Sequence, residues 1–203
     1  MPTLVIDTAT AACSVALIER GKVVAARHDV VGRGHAERLV PMIATLPGGG
    51  RADDILVDVG PGSFTGIRVG IAAARGLALG WGARARGYSS MSLLAAAALA
   101  RGVASPLAVV LEGGHGEVFM QAFDASPAPL DPLASLRPAD ALAALHGRPA
   151  VGNGVRWLAA LDEGLELHEA LPDAADACLL PDTLTNLALR PLYGRAPDAK
   201  LPG

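Results

Sequence analysis

The chain has 203 residues, 51% hydrophobic and only 3% aromatic, enough to bury a core in one compact body or two small lobes packed largely through Ala, Val and Leu. Its formal charge is -3, with lysine only at Lys22 and Lys200 and the arginines dispersed, which excludes the basic stripe expected of a chain that grips nucleic acid by itself. Cys13 and Cys178 stand far apart and outside any CxxC, and the opening MPTLVIDTAT and the short apolar run from Met91 to Ala100 fit neither a secretory signal nor the roughly 20 residues of a bilayer crossing; a soluble cytoplasmic protein without disulfides or structural zinc is expected.

Thr3 to Asp7 reads as a buried strand, Cys13 to Glu19 as a second and Lys22 to His28 as a third, with Arg20-Gly21 as the tight connection between the last two. Leu39, Val40, Ile43 and Leu46 recur at helical spacing between His35 and Leu46, with Pro41 as an expected kink. Pro47 to Arg51 is a glycine-rich turn, Asp54 to Val59 a return strand, and Gly66 to Trp81 a helix. That helix has Gly66, Gly70, Ala73, Ala74 and Leu77 on one side and Arg68 and Arg75 on another. Ser89 or Ser90 caps an Ala-rich helix to about Ala100. Leu107 to Glu112 and Val118 to Phe123 read as strands joined through Gly113, Gly114 and Gly116. Ser126 to Pro138 reads as a patternless connector. A Gly152-Asn153-Gly154 turn, a helix through Trp157 and Leu161, a helix near Leu184 to Arg190 and a Pro/Gly-containing tail complete the chain.

The informative segment is Gly60-Pro61-Gly62-Ser63-Phe64-Thr65-Gly66, between a predicted strand and a predicted helix. Two readings stand: its backbone amides converge on an anion at the helix N-terminus, or its glycines only make a tight turn. The spacing GxGxxxG is neither a Walker A loop nor the dinucleotide fingerprint, and Ser63 lacks the GxSxG elbow of a nucleophile. The five histidines, His28, His35, His115, His146 and His168, contain no i,i+4 pair, so no metal-ligand set is visible.

IDTATAACSVAL (Ile6 to Leu17), HAERLVPMI (His35 to Ile43) and GPGSFTGIRVG (Gly60 to Gly70) resemble, in order and spacing, the three N-terminal signatures of the bacterial TsaB (YeaZ) family. The resemblance continues through ARGLALG (Ala74 to Gly80), GEVF (residues 116 to 119), VGNG (Val151 to Gly154) and PLYGR (Pro191 to Arg195). It implies an α/β, two-lobed fold like that of actin, heat-shock chaperones and sugar kinases, ribonuclease H-like, with mixed sheets. The lobes would be residues 1–104, carrying the partner-binding helices, and residues 105–203, shortened relative to typical members.

In that superfamily an aspartate at the position of Asp7, with Thr8 and the loop Gly60, Gly62, Ser63, Thr65 and Gly66, borders a nucleotide cleft; in this family these become degenerate phosphate-loop candidates. The resemblance implies a non-catalytic scaffold that binds a TsaD-like catalytic subunit for threonylcarbamoylation of the adenosine next to the anticodon of tRNA, joined by a TsaE-like ATPase. ATP and metal would belong to the partners, with tRNA reached only through the complex, a homodimer as an additional form, and no membrane. The implied interface lies on the first two helices, at His35, Arg38, Leu39, Met42, Ile67, Gly70, Ile71, Ala74, Leu77 and Ala78; the same stripes could instead pack inside the chain's own core. The stretch Tyr88 to Leu94 supplies no imidazole where TsaD carries its HxxxH metal motif, and Glu112-Gly113-Gly114-His115 replaces an Asp-Ala-Arg-Arg-like segment. The alternatives are an ATP-binding phosphotransferase of the same superfamily, resting on Asp7, Thr8 and the loop, and a glycopeptidase-like metallopeptidase.

Overall fold

A computed structural model describes residues 1–194. The first sheet holds β1 (Pro2–Asp7), β2 (Ala12–Glu19), β3 (Lys22–Val30), β4 (Asp54–Asp58) and β5 (Arg84–Tyr88) in the order β3-β2-β1-β4-β5. The first three strands are antiparallel, whereas β4 and β5 run parallel to β1, so the sheet is mixed. Strands β1, β2 and β4 read as near-continuous apolar runs because both faces of the sheet are covered. Leu4, Ile6, Val15, Leu17, Ile55 and Val57 point into one core, while Val5, Ala16, Ile18 and Leu56 point into another on the opposite face.

Helices α1 (His35–Ala44) and α2 (Phe64–Trp81) cover the first of these faces. Helix α1 continues through Pro41 to Ala44. Helix α2 starts two residues earlier than its apolar periodicity suggests because Ser63 caps it, accepting from the Gly66 N–H at 3.2 Å, and it stops at Gly82 in the left-handed conformation. The opposite face is covered by α3 (Ser90–Ala100), capped by Ser89, and by a 3-10 segment at Ala174–Leu179. Helix α3 is buried almost all round because it lies between the two sheets.

The second sheet holds β6 (Leu107–Gly114), β7 (Glu117–Phe123), β8 (Ala134–Leu136), β9 (Ala150–Val151) and β10 (Leu167–His168) in the order β10-β9-β6-β7-β8. It is also mixed, antiparallel through β6, β7 and β8 and parallel through β6, β9 and β10. Helices α4 (Pro138–Leu145) and α5 (Val155–Ala159) pack on the face away from α3. The chain thus has the α/β architecture of two mixed sheets with helices.

Several local expectations change. Strands β5, β9 and β10 and helix α4 form where no element was anticipated, and the connector from Ser126 to Pro138 contains β8. The helix expected near Leu184 to Arg190 is absent: a 3-10 turn at Asp182–Leu184 gives way to an extended strap. Tertiary partners take the backbone groups a helix would have used. Leu187 exchanges both hydrogen bonds with Gly87, at 2.8 and 2.9 Å; Arg86 donates to the Thr185 carbonyl at 2.8 Å, and Arg75 donates to that of Leu189. The Leu192 N–H then reaches the Val59 carbonyl at 2.7 Å. Residues 173–192 therefore lie largely against the first sheet and α3. The tail from Arg195 on falls outside the described residues.

Candidate functional site

The turn after β1 and the loop Gly60 to Gly66 are clamped together by backbone. The Ser63 N–H donates to the Ala9 carbonyl at 2.6 Å, and the Thr8 hydroxyl donates to the Gly66 carbonyl at 2.8 Å. A Cβ at Gly62 would lie 2.0 Å from the Ala9 oxygen, one at Gly66 would lie 2.0 Å from the Thr8 oxygen, and one at Gly70 would lie 2.6 Å from the Thr8 hydroxyl. These glycines are required by close approach of two chain segments. Asp7 and Thr8 are fully buried beneath the clamp, while Ser63 and Thr65 are exposed at its outer side. The structure brings all seven phosphate-loop candidates together, but Asp7 is closed off from solvent.

Beneath the clamp lies a feature the sequence reading missed. Strands β1 and β4 are parallel neighbours with Ile6 opposite Val57, so the next residues, Asp7 and Asp58, sit side by side at the strand ends. Both are fully buried and their carboxyl groups hydrogen-bond each other. Asp7 accepts from the Tyr88 hydroxyl at 3.0 Å and the Ala9 N–H at 3.3 Å. Asp58 accepts from the Gly60 N–H at 2.6 Å and from the Ser90 hydroxyl, also at 2.6 Å. Burial pushes both carboxyl groups above the usual carboxylate range, and the adjacent Asp7 carboxylate pushes Asp58 further, well above it. Burial and the acid pair together also hold the Tyr88 hydroxyl well above its ordinary value. The available signal was the matching pattern TLVID and DILVD, two short apolar strands each ending in aspartate.

Beside the clamp, a cleft of about 850 Å³ opens between the sheets. Its first wall carries Ser63, Phe64 and Arg68, with Tyr193 from the strap. The Arg68 guanidinium lies 3.3 Å from the Phe64 ring centre, donates to the Phe64 carbonyl at 2.7 Å and to the Tyr193 hydroxyl, and the two rings stack with centroids 6.3 Å apart. The facing wall carries Leu111, Glu112, His115, Phe119 and Asn153. Glu112 accepts from the Trp157 indole N–H at 3.1 Å and from Arg156, and its own N–H donates to the Asn153 side chain at 3.1 Å. The segment Glu112 to His115 thus forms the rim of the cleft at the β6–β7 turn. Neither Asp7 nor Asp58 lines it.

The predicted interface residues separate by helix face. Leu39, Met42, Ile67, Gly70, Ile71 and Ala74 are buried in the chain's own first core, and the buried His35 ring nitrogen Nε2 contacts the Thr10 and Ala12 carbonyls at 2.9 and 3.1 Å. Leu77 and Ala78 are half-buried; Arg38 is exposed and paired with Asp29. Helical periodicity identifies an apolar stripe but not what covers it, and here the sheet covers it. The surface these helices offer outward is instead Val40, Pro41 and Ala44 on α1 and Ala72, Gly76, Leu79 and Gly80 on α2, with Leu79 88% exposed.

Among the described residues no three His, Cys, Asp or Glu side chains gather where a metal ion could be held, and no helix is long and apolar enough to cross a membrane.

Residues 29–135 match the family model described as TsaD: tRNA N6-adenosine threonylcarbamoyltransferase. The chain is 40% identical over 124 residues to the tRNA threonylcarbamoyladenosine biosynthesis protein TsaB of Escherichia coli, covering 59% of this chain and 53% of that one. It is 35% identical over 121 residues to the protein of the same name from Haemophilus influenzae, covering 57% and 51%. The chain thus spans about half the length of the curated relatives it matches. A Pseudomonas aeruginosa structure described as an uncharacterized protein with similarity to peptidase YEAZ superposes with a TM-score of 0.78 at 27% identity, over 96% of this chain and 99% of that one. The ethanolamine utilization protein EutJ of Carboxydothermus hydrogenoformans shares the fold, with a TM-score of 0.50 at 13% identity over 88% of each chain.

Proposed function

The chain belongs to the family of the tRNA N6-adenosine threonylcarbamoyltransferase model, in its TsaB (YeaZ) type, and on that premise we propose that it is a non-catalytic subunit that binds and orders a TsaD-like catalytic subunit in threonylcarbamoyladenosine biosynthesis on tRNA. The observation that carries this reading is the clamp. The place where a phosphate would meet Asp7 is filled by the chain's own backbone, with Ser63 bonded to Ala9 and Thr8 to Gly66. A phosphotransferase would have to break both bonds before nucleotide reached Asp7, so the superfamily alternative is disfavoured.

ATP and metal chemistry then reside in the partner subunits, a TsaD-like transferase and a TsaE-like ATPase, and tRNA is engaged through the complex in the cytoplasm. The outward face of α1 and α2 is the docking surface in this reading, with Val40 and Leu79 as its large apolar side chains. The same face accepts a second copy when the partner is absent.

Size-exclusion chromatography with light scattering on the chain, alone and mixed with the TsaD-like subunit of the same organism, followed by a tRNA-modification assay, tests the proposal. A heterodimer that alone supports modification is the expected result. Modification of tRNA by this chain without the partner, or tight Mg-ATP binding lost on Asp7→Ala, overturns it.

A further inference from the structure

The buried acid pair lies at the start of α3, the helix that joins the two sheets. Asp7 ties the end of β1 to the turn at Ala9 and to Tyr88 at the end of β5. Asp58 ties the end of β4 to Gly60, the first residue of the clamped loop, and to Ser90, the first residue of α3. The Ser90 N–H also donates to the Gly60 carbonyl at 3.1 Å, and its hydroxyl lies 3.0 Å from the Pro61 carbonyl. Helix α3 in turn packs against β6, β7 and β9 of the second sheet. Two carboxyl groups therefore hold one junction from both sides.

We propose that the Asp7–Asp58 pair shares a single proton, and that this proton fastens the Gly60–Gly66 loop and the start of α3 to the ends of β1 and β4, so that its loss releases the junction between the sheets. With the proton present, the Asp58 O–H donates to the Asp7 carboxylate, and Tyr88, Ser90 and the N–H groups of Ala9 and Gly60 serve the remaining oxygens. Without it, two carboxylates face each other with no exposure to water. The titratable groups facing the pair are Tyr88 on β5, His28 on β3 and Cys13 on β2, with Asp173 acting on Tyr88; α3 contributes the uncharged Ser90. None of these is a fixed cation that could replace the proton, so separation into water is the available relief.

The proton is held in the closed junction at pH values where a solvated aspartate, of pKa about 3.9, has already lost it. Opening therefore releases one proton: closure is strongest at acid pH and weakens as pH rises towards the raised folded value. Over that window the opening equilibrium increases about tenfold per pH unit, then levels off. Asp58→Asn removes the titration while keeping the bonds, because its amide can donate to Asp7 and to the Ser90 oxygen, leaving the Ser90 hydroxyl to donate to Pro61.

Amide hydrogen exchange of the full chain across this pH range, corrected for intrinsic exchange and read by mass spectrometry, tests the proposal. Peptides spanning residues 58–66 and 89–95 should open about tenfold more per pH unit in the wild type and show no such slope in Asp58→Asn, with β6 and β7 unchanged in both. Infrared spectroscopy of the wild type at neutral pH should show a protonated carboxyl band that disappears in Asp58→Asn or Asp7→Asn. Absence of that band from the wild type, a pH-independent junction, or the same slope in a folded Asp58→Asn overturns the proposal. Should the variants fail to fold, the band and the slope in the wild type decide it.

Discussion

Thr8 and Gly66 hold each other too closely for any side chain on residue 66: the Thr8 hydroxyl bonds to the Gly66 carbonyl at 2.8 Å, and the Thr8 carbonyl oxygen occupies the space where a Cβ on residue 66 would stand. Gly66→Ala should therefore destabilise the chain by about 3 kcal/mol or more, at or beyond the upper end of ordinary overpacking. Gly62→Ala should behave alike. Gly76 lies in the same helix with nothing within 4 Å of its missing Cβ, so Gly76→Ala should stabilise by up to about 1 kcal/mol. Urea denaturation of the three variants separates a role in packing from one in ligand binding, since no ligand is present.

Asp54 pairs with two arginines of unlike surroundings. Arg86, with 25% of its side chain exposed, donates to Asp54 at 2.7 and 3.0 Å and also holds Thr185. Arg84, 77% exposed, makes one contact at 3.2 Å. Arg86→Ala should cost about 2 kcal/mol because it leaves a buried carboxylate with only the exposed Arg84 as its cation and frees the strap. Arg84→Ala should cost no more than about 0.5 kcal/mol. Denaturation midpoints in low and high salt check both, with only the Arg84 effect expected to vanish in salt.

The two thiols should differ sharply in reactivity. Burial pushes the Cys13 thiol up to about 11, leaving almost no thiolate at neutral pH, and its sulfur has no route to solvent. Cys178 is exposed. Titration with a thiol reagent at pH 8 should therefore modify Cys178 alone in the native chain, and Cys13 only as denaturant unfolds it.

The two faces of α2 give opposite expectations. Leu79→Asp, on the outward face, should leave chain stability unchanged and weaken association with the proposed transferase partner by about tenfold or more. Ala74→Asp places a charge in the first core, where Ala74 is fully buried, and should destabilise the fold itself by about 3 kcal/mol or more. Light scattering together with thermal melts distinguishes loss of association from loss of fold.

The opening strands, α1, α2, α3 and the β6–β7 hairpin were legible because each has its own period, cap or turn. Strand β5 was not: Arg84 and Arg86 interrupt any apolar run, and they are tolerated because Asp54 on β4 receives them. The strap around Leu187 looked helical because its apolar spacing is local, whereas its partners, Gly87, Arg75 and Arg86, are distant in sequence. The seven loop residues were found together, but their role differed, since GxGxxxG reports close backbone approach without saying whether the approaching atom belongs to a ligand or to Thr8 and Ala9. Asp58 escaped notice because its meaning depends on strand register, which places it beside Asp7.

The bond between Leu187 and Gly87 also sets a timetable for synthesis. Strand β5 leaves the ribosome long before Leu187 does, and during that interval its outer edge is bare, a row of unpaired backbone groups open to any passing strand. Arg84 and Arg86 stand on that strand, and their charges discourage such pairing until the strap arrives. The nascent chain is thus guarded by the same two arginines that Asp54 anchors, one of which finally holds the strap in place.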